Sequence, residues 1–235
     1  QWLEVESSSS GGSPEVADFK LYLIQELCQA SLFQARKEKL FHAPGSPVID
    51  LAMLLHVLLD IAQGIAFLHE RNIIHGDLKP DNVLLKEDRT AACGCCAKLS
   101  DFGLSIALDP AATHVSNYAT GTPFYMAPEV LSQARVTKAA DIYGLGVIMW
   151  EMATDKAPWV EGLEKGRYEP HPLFPHLPLD CEPAYAELLA RCLAKSPGER
   201  PAASTVVQEL RDMIACMDDN WAEAQNGPNA GTAVY

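Results

Sequence analysis

Three polar side chains stand close together in the stretch IIHGDLKPDNVLL, residues 73–85, which is otherwise rich in apolar residues. Asp77, Lys79 and Asn82 supply an acid, a base and an amide, and Gly76 directly precedes the acid. Phosphoryl transfer needs an acid to orient a hydroxyl and accept its proton, a cation near the moving phosphate, and an oxygen ligand for a metal ion. The three residue types therefore fit that chemistry.

A second carboxylate follows at a distance that suits the same reaction. Asp101 opens the tripeptide DFG, 19 residues after Asn82. Mg²⁺ prefers one or two carboxylates together with phosphate oxygens to a complete cage of protein ligands. An acid on a turn made flexible by glycine is therefore predicted to hold the same Mg²⁺ as Asn82. Farther along the chain, the sequence GTPFYMAPE covers residues 121–129.

Four motifs in this order resemble those of eukaryotic protein kinases. They are HGDLKPDN, DFG, APE and DIYGLGVIMWEM, and the resemblance covers about residues 19–216. The last motif is most similar to the tyrosine-kinase-like group. The resemblance implies an α+β, protein-kinase-like fold with a mainly α-helical large lobe, a hinge and one or two small-lobe strands. It also implies a serine/threonine kinase that transfers the γ-phosphoryl group of ATP, with Mg²⁺, to a protein substrate.

The kinase resemblance implies a role for each polar residue of these motifs. Asp77 would position the substrate hydroxyl and accept its proton, and Lys79 would meet the γ-phosphate. Asn82 and Asp101 would be the Mg²⁺ ligands. Thr122 matches a threonine that hydrogen-bonds near the catalytic acid and base in serine/threonine kinases. The alternative, that the two aspartates are ordinary loop acids, is disfavoured because chance does not place four motifs in order.

The segment LYLIQELCQASL resembles the last strand of a kinase small lobe running into the hinge. On this resemblance, Gln25 would guard the back of the adenine pocket. Glu26, Leu27 and Cys28 would lie on the hinge, where backbone groups hydrogen-bond adenine, and Leu84 would lie under the adenine ring. The alternative is an ordinary buried strand, since hinge sequences are loose and one residue shifts the register.

Five further residues match positions that support the active site in the kinase family. His75 and Phe102 resemble members of a stacked apolar column. Asp141 resembles the helix acid that accepts hydrogen bonds from catalytic-loop backbone N–H groups. Glu129 and Arg200 resemble a buried ion pair that anchors the substrate lobe. Loss of any of these residues is expected to act mainly through stability.

Apolar periodicity predicts the longest helix over about residues 48–69. Asp50, His56, Asp60 and Gln63 interrupt its apolar run, so a buried amphipathic helix is favoured over a membrane span. A helix that is apolar nearly all round, and therefore buried, is predicted over about residues 138–153.

Shorter segments complete the predicted arrangement. SLFQARKEKL is expected to form a helix capped by Ser31, NVLL and AKLS a strand pair, and PAYAELLARCLA and ASTVVQELRDMIACM two amphipathic helices. The chain is expected to divide into a remnant of the small lobe and hinge (1–30), the large lobe (31–217) and a disordered tail (218–235).

Part of the kinase small lobe is not recognisable in the sequence. No G-x-G-x-x-G loop is found, and no lysine stands in a V-A-I-K-like context. The chain is therefore expected to be a fragment that is inactive in isolation. The alternative is a pseudokinase or scaffold that kept the fold. The presence of all four of Asp77, Lys79, Asn82 and Asp101 argues against it. A small-molecule phosphotransferase is disfavoured because GTPFYMAPE resembles a peptide-docking segment.

Gly76 is a second departure from the kinase pattern. Arginine usually precedes the catalytic acid and gathers a phosphate from the activation segment. The glycine offers no guanidinium for such a phosphate. We therefore expect activity to depend little on phosphorylation of that segment.

Composition limits the partners and the setting. The formal net charge is -13, from 31 acidic and 18 basic residues, which argues against nucleic acid and anionic membrane surfaces as partners. Seven cysteines form no disulfide framework, so an intracellular and cytoplasmic location is expected. For Cys93, Cys95 and Cys96, a surface loop with reduced thiols is favoured over a metal site. Nothing in the sequence indicates an oligomeric state.

Overall fold

The computed structural model describes residues 24–109, 112–116, 120–178 and 181–226. Within these ranges the helices are α1 (Leu32–Lys37), α2 (Leu51–Glu70), α3 (Pro128–Gln133), α4 (Lys138–Thr154), α5 (Pro183–Cys192) and α6 (Ala203–Asn226). The strands are β1 (Ala30–Ser31), β2 (Ile73–Ile74), β3 (Val83–Glu87), β4 (Cys95–Leu99), β5 (Ile106–Ala107), β6 (Trp159–Glu161) and β7 (Tyr168–Pro170).

Helix α2 is the central helix of the hydrophobic core. Asp50 caps its start, because the carboxylate accepts a hydrogen bond from the Met53 backbone N–H at 3.0 Å. Leu54, Leu58 and Ile65 on its apolar face are fully buried, and the helix packs against α6, β4 and α4. Among the described residues it is the one helix long and apolar enough to cross a membrane, as buried core helices also are. The predicted buried helix is confirmed.

Helix α4 is buried on nearly every side, as its apolar sequence predicted. Leu145, Val147 and Ile148 are fully enclosed. The polar end of Trp150 is satisfied, since its Nε1–H donates to the His176 carbonyl at 2.9 Å. The helix also contacts β2, so it forms a rigid support directly behind the loop that follows that strand.

Two strand pairings bring the two loops of chemical interest together. β3 and β4 pair antiparallel, with Val83 opposite Leu99, while β2 and β5 pair with Ile74 opposite Ile106. The loop 75–82 therefore connects β2 to β3, and the DFG segment connects β4 to β5. The strand before the first loop pairs with the strand after the second, and the strand after the first loop pairs with the strand before the second. The two loops must therefore lie side by side. The strand pair predicted from NVLL and AKLS is confirmed as β3 and β4.

The start of the described chain differs from its prediction. Residues 24–28 form no strand, and Ile24 and Leu27 are 90% and 81% exposed. The resemblance to the last strand of a kinase small lobe implied a strand there, but the described residues provide no surface that covers these side chains. Regular structure begins at β1, and Ser31 caps α1 as predicted, accepting from the Gln34 backbone N–H. Residues 1–23, which hold the rest of the predicted small-lobe remnant, lie outside the described residues.

The end of the chain also requires a correction. A disordered tail was expected from residue 218, but α6 continues to Asn226. The expectation rested on the loss of apolar periodicity, whereas alanine, glutamate and glutamine in this stretch have high intrinsic helix propensity. Residues 227–235 lie outside the described residues.

Candidate active site

One buried carboxylate holds the backbone of the loop 75–82. Asp141, in the first turn of α4 and 2% exposed, accepts hydrogen bonds from the His75 N–H at 2.9 Å and the Gly76 N–H at 3.0 Å. The Nε2 atom of His69 lies 2.8 Å from the same carboxylate. Three polar groups thus satisfy a charge that would be costly to bury alone. The support expected of Asp141 corresponds to these contacts.

Gly76 adopts a backbone conformation that other residues rarely take. Its φ angle is +81°, and a Cβ at this position would lie 2.7 Å from the Leu104 carbonyl oxygen. Because both the positive φ and this close approach disfavour a side chain, the glycine lets the loop pass against the segment after DFG. The sequence suggested only the loss of an arginine, and the geometry adds a steric reason for glycine.

Asp77, Lys79 and Thr122 form a closed hydrogen-bonded group. The Lys79 Nζ donates to Asp77 Oδ2 at 2.8 Å and to Thr122 Oγ1 at 2.7 Å. Thr122 donates its backbone N–H and its hydroxyl to Asp77 Oδ1, each at 2.8 Å. The structure therefore brings together the predicted catalytic acid, the predicted catalytic lysine and the predicted activation-segment threonine.

The surroundings of Asp77 favour its ionised form. Burial raises the pKa of this carboxyl, but the hydrogen bonds from Lys79 and Thr122 outweigh burial and hold the pKa below its usual 3.8. Asp77 is therefore a carboxylate at neutral pH. In that state it can accept a hydrogen bond from an incoming hydroxyl group.

Asn82 is oriented so that its oxygen is the atom left for a cation. The amide nitrogen donates to the Asp77 carbonyl at 2.8 Å and to Asp77 Oδ2 at 3.0 Å. The Asn82 backbone carbonyl accepts from the Ser100 N–H at 2.9 Å and the Ser100 hydroxyl at 3.1 Å. Because Ser100 directly precedes Asp101, these bonds link the two predicted metal ligands.

The donor set fits Mg²⁺ shared with a phosphate. Asp101 is exposed, and its backbone is left-handed, with φ +57°. Its Oδ1 accepts a hydrogen bond from the Gly103 N–H at 3.3 Å. Asp101 can offer a carboxylate oxygen, and Asn82 an amide oxygen, which are ligands that Mg²⁺ prefers. Within the described residues, no group of three or more His, Cys, Asp or Glu side chains could hold a metal ion. Phosphate oxygens and water would have to complete the coordination.

His75 and Phe102 are in contact, although the predicted apolar column is only partly visible. Their ring centroids are 5.3 Å apart, and the His75 Nε2–H donates to the Ser100 carbonyl at 3.0 Å. Phe102 is 47% exposed, and His75 is the one ring of the described residues that is paired with it. Its contact with His75 nevertheless ties DFG to the loop before Asp77.

Glu129 and Arg200 form a fully paired buried ion pair. The Arg200 Nη1 and Nη2 atoms each donate to one carboxylate oxygen of Glu129 at 2.7 Å. The Glu129 side chain is 4% exposed and that of Arg200 is 0% exposed. The Arg200 Nε donates to the Ala194 carbonyl, and Nη1 also donates to the Ala139 carbonyl. This bidentate geometry satisfies both charges and joins α3 to the segment before α6.

Comparison with protein families matches residues 15–210 to the protein kinase domain. The chain belongs to the protein kinase family. Membership confirms the predicted α+β kinase fold. It also implies in general terms the use of ATP and a divalent metal ion.

Individual kinases resemble the chain over most of its length. It is 30% identical over 181 residues to serine/threonine/tyrosine-protein kinase HT1 of Arabidopsis thaliana, covering 73% of this chain and 43% of that protein. It is 34% identical over 175 residues to serine/threonine-protein kinase STY46 of the same plant, which covers 71% of this chain and 28% of that protein. These relatives agree with the serine/threonine, tyrosine-kinase-like type expected from the sequence. The chain spans less than half the length of either relative.

A third kinase shares a shorter but more similar region. The membrane-associated tyrosine- and threonine-specific cdc2-inhibitory kinase of Drosophila melanogaster is 43% identical over 135 residues, which is 57% of this chain and 22% of that protein.

The hinge residues predicted to contact adenine lie mostly at the surface of the described chain. Gln25 and Leu27 are exposed, and Cys28 is half-buried. The Glu26 carboxylate pairs with Lys86 and with Lys98, the latter at 2.8 Å. These roles remain predictions.

Leu84 lies on β3 between Ser31 of β1 and Lys98 of β4, and its side chain is half-buried. This position is fixed by strand pairing rather than by any contact with the segment 24–28. Its predicted place under the adenine ring also remains a prediction.

Sequence reasoning missed a second group of polar residues beside the kinase site. The Tyr125 hydroxyl donates to Glu151 at 2.6 Å, and Arg36 Nη2 lies 3.0 Å from the other oxygen of that carboxylate. Burial raises the pKa of Glu151 despite Tyr125 and Arg36. The available signal was an acid within the otherwise apolar helix α4. His69, which contacts Asp141, was also missed.

Proposed function

We propose that this chain is the catalytic core of a serine/threonine protein kinase that transfers the γ-phosphoryl group of Mg-ATP to a protein hydroxyl. The observation that carries the proposal is the closed group of Asp77, Lys79 and Thr122. It places an ionised acid, a cation and a hydroxyl within hydrogen-bonding distance of each other. Catalysis of phosphoryl transfer depends on positioned charges of this kind.

In the proposed reaction, Asp77 accepts a hydrogen bond from the serine or threonine hydroxyl and takes its proton as the oxygen–phosphorus bond forms. The bond from the γ-phosphorus to the bridging oxygen breaks, and ADP leaves with that oxygen. Lys79 stabilises negative charge on the moving phosphoryl group. Asn82 and Asp101 would hold Mg²⁺, which supplies charge neutralisation at the phosphate oxygens when bound.

The preference for serine or threonine over tyrosine is proposed on Thr122. Its two hydrogen bonds to Asp77 are of the kind that the resemblance to serine/threonine kinases implied for this threonine. STY46 is named a serine/threonine-protein kinase, which supports the same assignment, whereas the name of HT1 also includes tyrosine. The presence of Asp77, Lys79, Asn82 and Asp101 disfavours a pseudokinase or scaffold.

We also propose an intracellular, cytoplasmic location, which the seven free cysteines and the use of ATP support.

The test is a transfer assay with the protein that carries this chain, radiolabelled ATP and a peptide set that differs only in the acceptor residue. The proposal expects Mg²⁺-dependent labelling of serine and threonine peptides, and little labelling of the tyrosine peptide. Replacement of Asn82 or Asp101 by alanine should raise the Mg²⁺ concentration needed for half-maximal rate, while Asn72→Ala should not. Labelling that is independent of Mg²⁺, or confined to tyrosine, would overturn the proposal.

A further inference from the structure

A cavity unrelated to the candidate active site lies between α2, α5 and α6. Its volume is about 390 Å³, and none of its lining residues belongs to the groups around Asp77 or Glu129. Small-molecule sites in proteins commonly enclose roughly 300–1,000 Å³. The cavity is therefore large enough for an organic ligand.

The floor of the cavity is apolar. Leu55 and Tyr185 are almost fully buried beneath it, and Met213 is 9% exposed. The Tyr185 hydroxyl donates to the Met149 carbonyl at 2.8 Å, so its ring rather than its polar end is presented. Met213 and Met217 add flexible thioether side chains, which adapt to ligands of irregular shape.

The rim of the cavity is acidic. Glu182, Glu187, Glu209 and Asp212 line it together with one cation, Arg191. Arg191 is already committed, because both of its terminal nitrogens donate to Glu209, one of them at 3.0 Å. The rim therefore carries four carboxylates against one guanidinium, which leaves an excess of three negative charges.

We propose that this cavity binds a small organic cation: an ammonium or guanidinium group on an alkyl or aryl body. The body would contact the floor of leucine, tyrosine and methionine, and the cation would lie at the rim near Glu182, Glu187 and Asp212. An anion of the same shape is repelled by the same three carboxylates. The inference is independent of the proposed kinase function, since it uses none of the residues assigned to phosphoryl transfer.

The six methionines of the chain provide a direct readout. With ¹³C-methyl-methionine labelling, Met213 and Met217 report from the cavity, while Met126, Met149 and Met152 report from elsewhere in the core. The chain is titrated with octylammonium and separately with octanoate, which have the same length and opposite charge. We expect octylammonium to shift the first two signals and to bind about tenfold tighter than octanoate, the combined effect of three exposed carboxylates.

Three variants complete the test. The double variant Glu182→Gln/Glu187→Gln removes two rim charges and should reduce the preference for octylammonium to about threefold or less. Its matched control, Glu161→Gln/Glu164→Gln in the β6–β7 hairpin, should leave the preference unchanged. Ala184→Phe places a ring at the exposed mouth of the cavity and should weaken octylammonium binding, while the signals of Met126, Met149 and Met152 verify the fold.

Three results would overturn the proposal. Octanoate could bind as tightly as octylammonium, the Met213 and Met217 signals could remain unmoved at saturating octylammonium, or Ala184→Phe could leave binding unchanged.

Discussion

Thr122 donates its backbone N–H and its hydroxyl to the same oxygen of Asp77, each at 2.8 Å. The two residues lie 45 positions apart in the sequence. The segment that carries Thr122 must therefore be docked before the Asp77 carboxylate has its full set of donors. Lys79 strengthens the link, because it donates to both side chains.

We predict that Thr122→Ala lowers turnover by about 10–10²-fold, because Asp77 and Lys79 lose a shared partner and small misplacements at a reacting group are costly. Thr122→Ser keeps the hydroxyl and should retain most of the activity. Steady-state kinetics with a serine peptide would check both variants. Equal losses in the two variants would show that the threonine methyl group, not the hydroxyl, is what matters.

The low pKa of Asp77 gives a prediction about pH. Burial alone raises this pKa, and Lys79 and Thr122 reverse the effect. Lys79→Met removes the main opposing group, so the pKa of Asp77 should rise. An NMR titration of the Asp77 carboxyl carbon should show this rise, whereas Lys156→Met, which changes a distant exposed lysine, should not. An unchanged Asp77 titration in Lys79→Met would contradict the electrostatic account.

The same pKa has a consequence for stability. A carboxyl whose folded pKa lies below its unfolded value stabilises the fold above the unfolded pKa, and this contribution is lost as pH falls through the folded value. The native protein should therefore lose part of its free energy of unfolding below about pH 4. Asp77→Asn should show a smaller loss over that range in urea unfolding measured at several pH values.

The Glu129–Arg200 pair should be essential for stability. Removing one partner of a buried ion pair leaves an uncompensated charge, so Arg200→Met should lower the free energy of unfolding by about 3–5 kcal/mol. The exposed pair Glu164–Arg167 is a matched control, since its side chains are 77% and 68% exposed. Arg167→Met should cost at most about 1 kcal/mol. Urea unfolding curves of the two variants would decide, and similar losses in both would contradict the role of burial.

Two glycines with positive φ separate the effect of backbone conformation from that of crowding. Gly45 has φ +70° and open space around its Cβ position, whereas Gly76 has φ +81° and the Leu104 carbonyl oxygen at 2.7 Å. Gly45→Ala should therefore cost about 1–2 kcal/mol. Gly76→Ala should cost more and also reduce turnover, because Leu104 or the catalytic loop must move. Equal costs would show that the contact with Leu104 relaxes freely.

The sequence predicted best what depends on short spacing. Asp77, Lys79 and Asn82 lie within one loop, their types fit phosphoryl transfer, and the kinase resemblance of four ordered motifs assigned their roles. Helix α2 was predictable because its apolar period of about 3.6 residues reports burial of one face. The end of α6 was not, because the sequence after residue 217 has no apolar period, although several of its residues have high helix propensity.

Contacts between distant residues could not be read from the sequence. His69 and Asp141 are 72 residues apart, and their hydrogen bond exists only because α2 and α4 pack together. Arg36 and Glu151 likewise meet through tertiary packing, with no local signal at either position that names its partner. The segment around Gln25 illustrates the opposite error, because its resemblance to the last small-lobe strand implied a strand, whereas residues 24–28 form none.

The most direct test of the account is the turnover of Asp77→Asn in the protein that carries this chain, measured together with its thermal unfolding. Asparagine keeps the size of the side chain but removes the charge that accepts the hydroxyl proton. We predict a loss of about 10²–10⁴-fold in turnover with a cooperative unfolding transition retained. The matched variant Asp88→Asn, which changes a half-buried acid in the β3–β4 hairpin outside the Asp77 group, should keep wild-type turnover. Turnover of Asp77→Asn within about threefold of wild type, a difference too small for a positioned acid or base, would contradict the central claim.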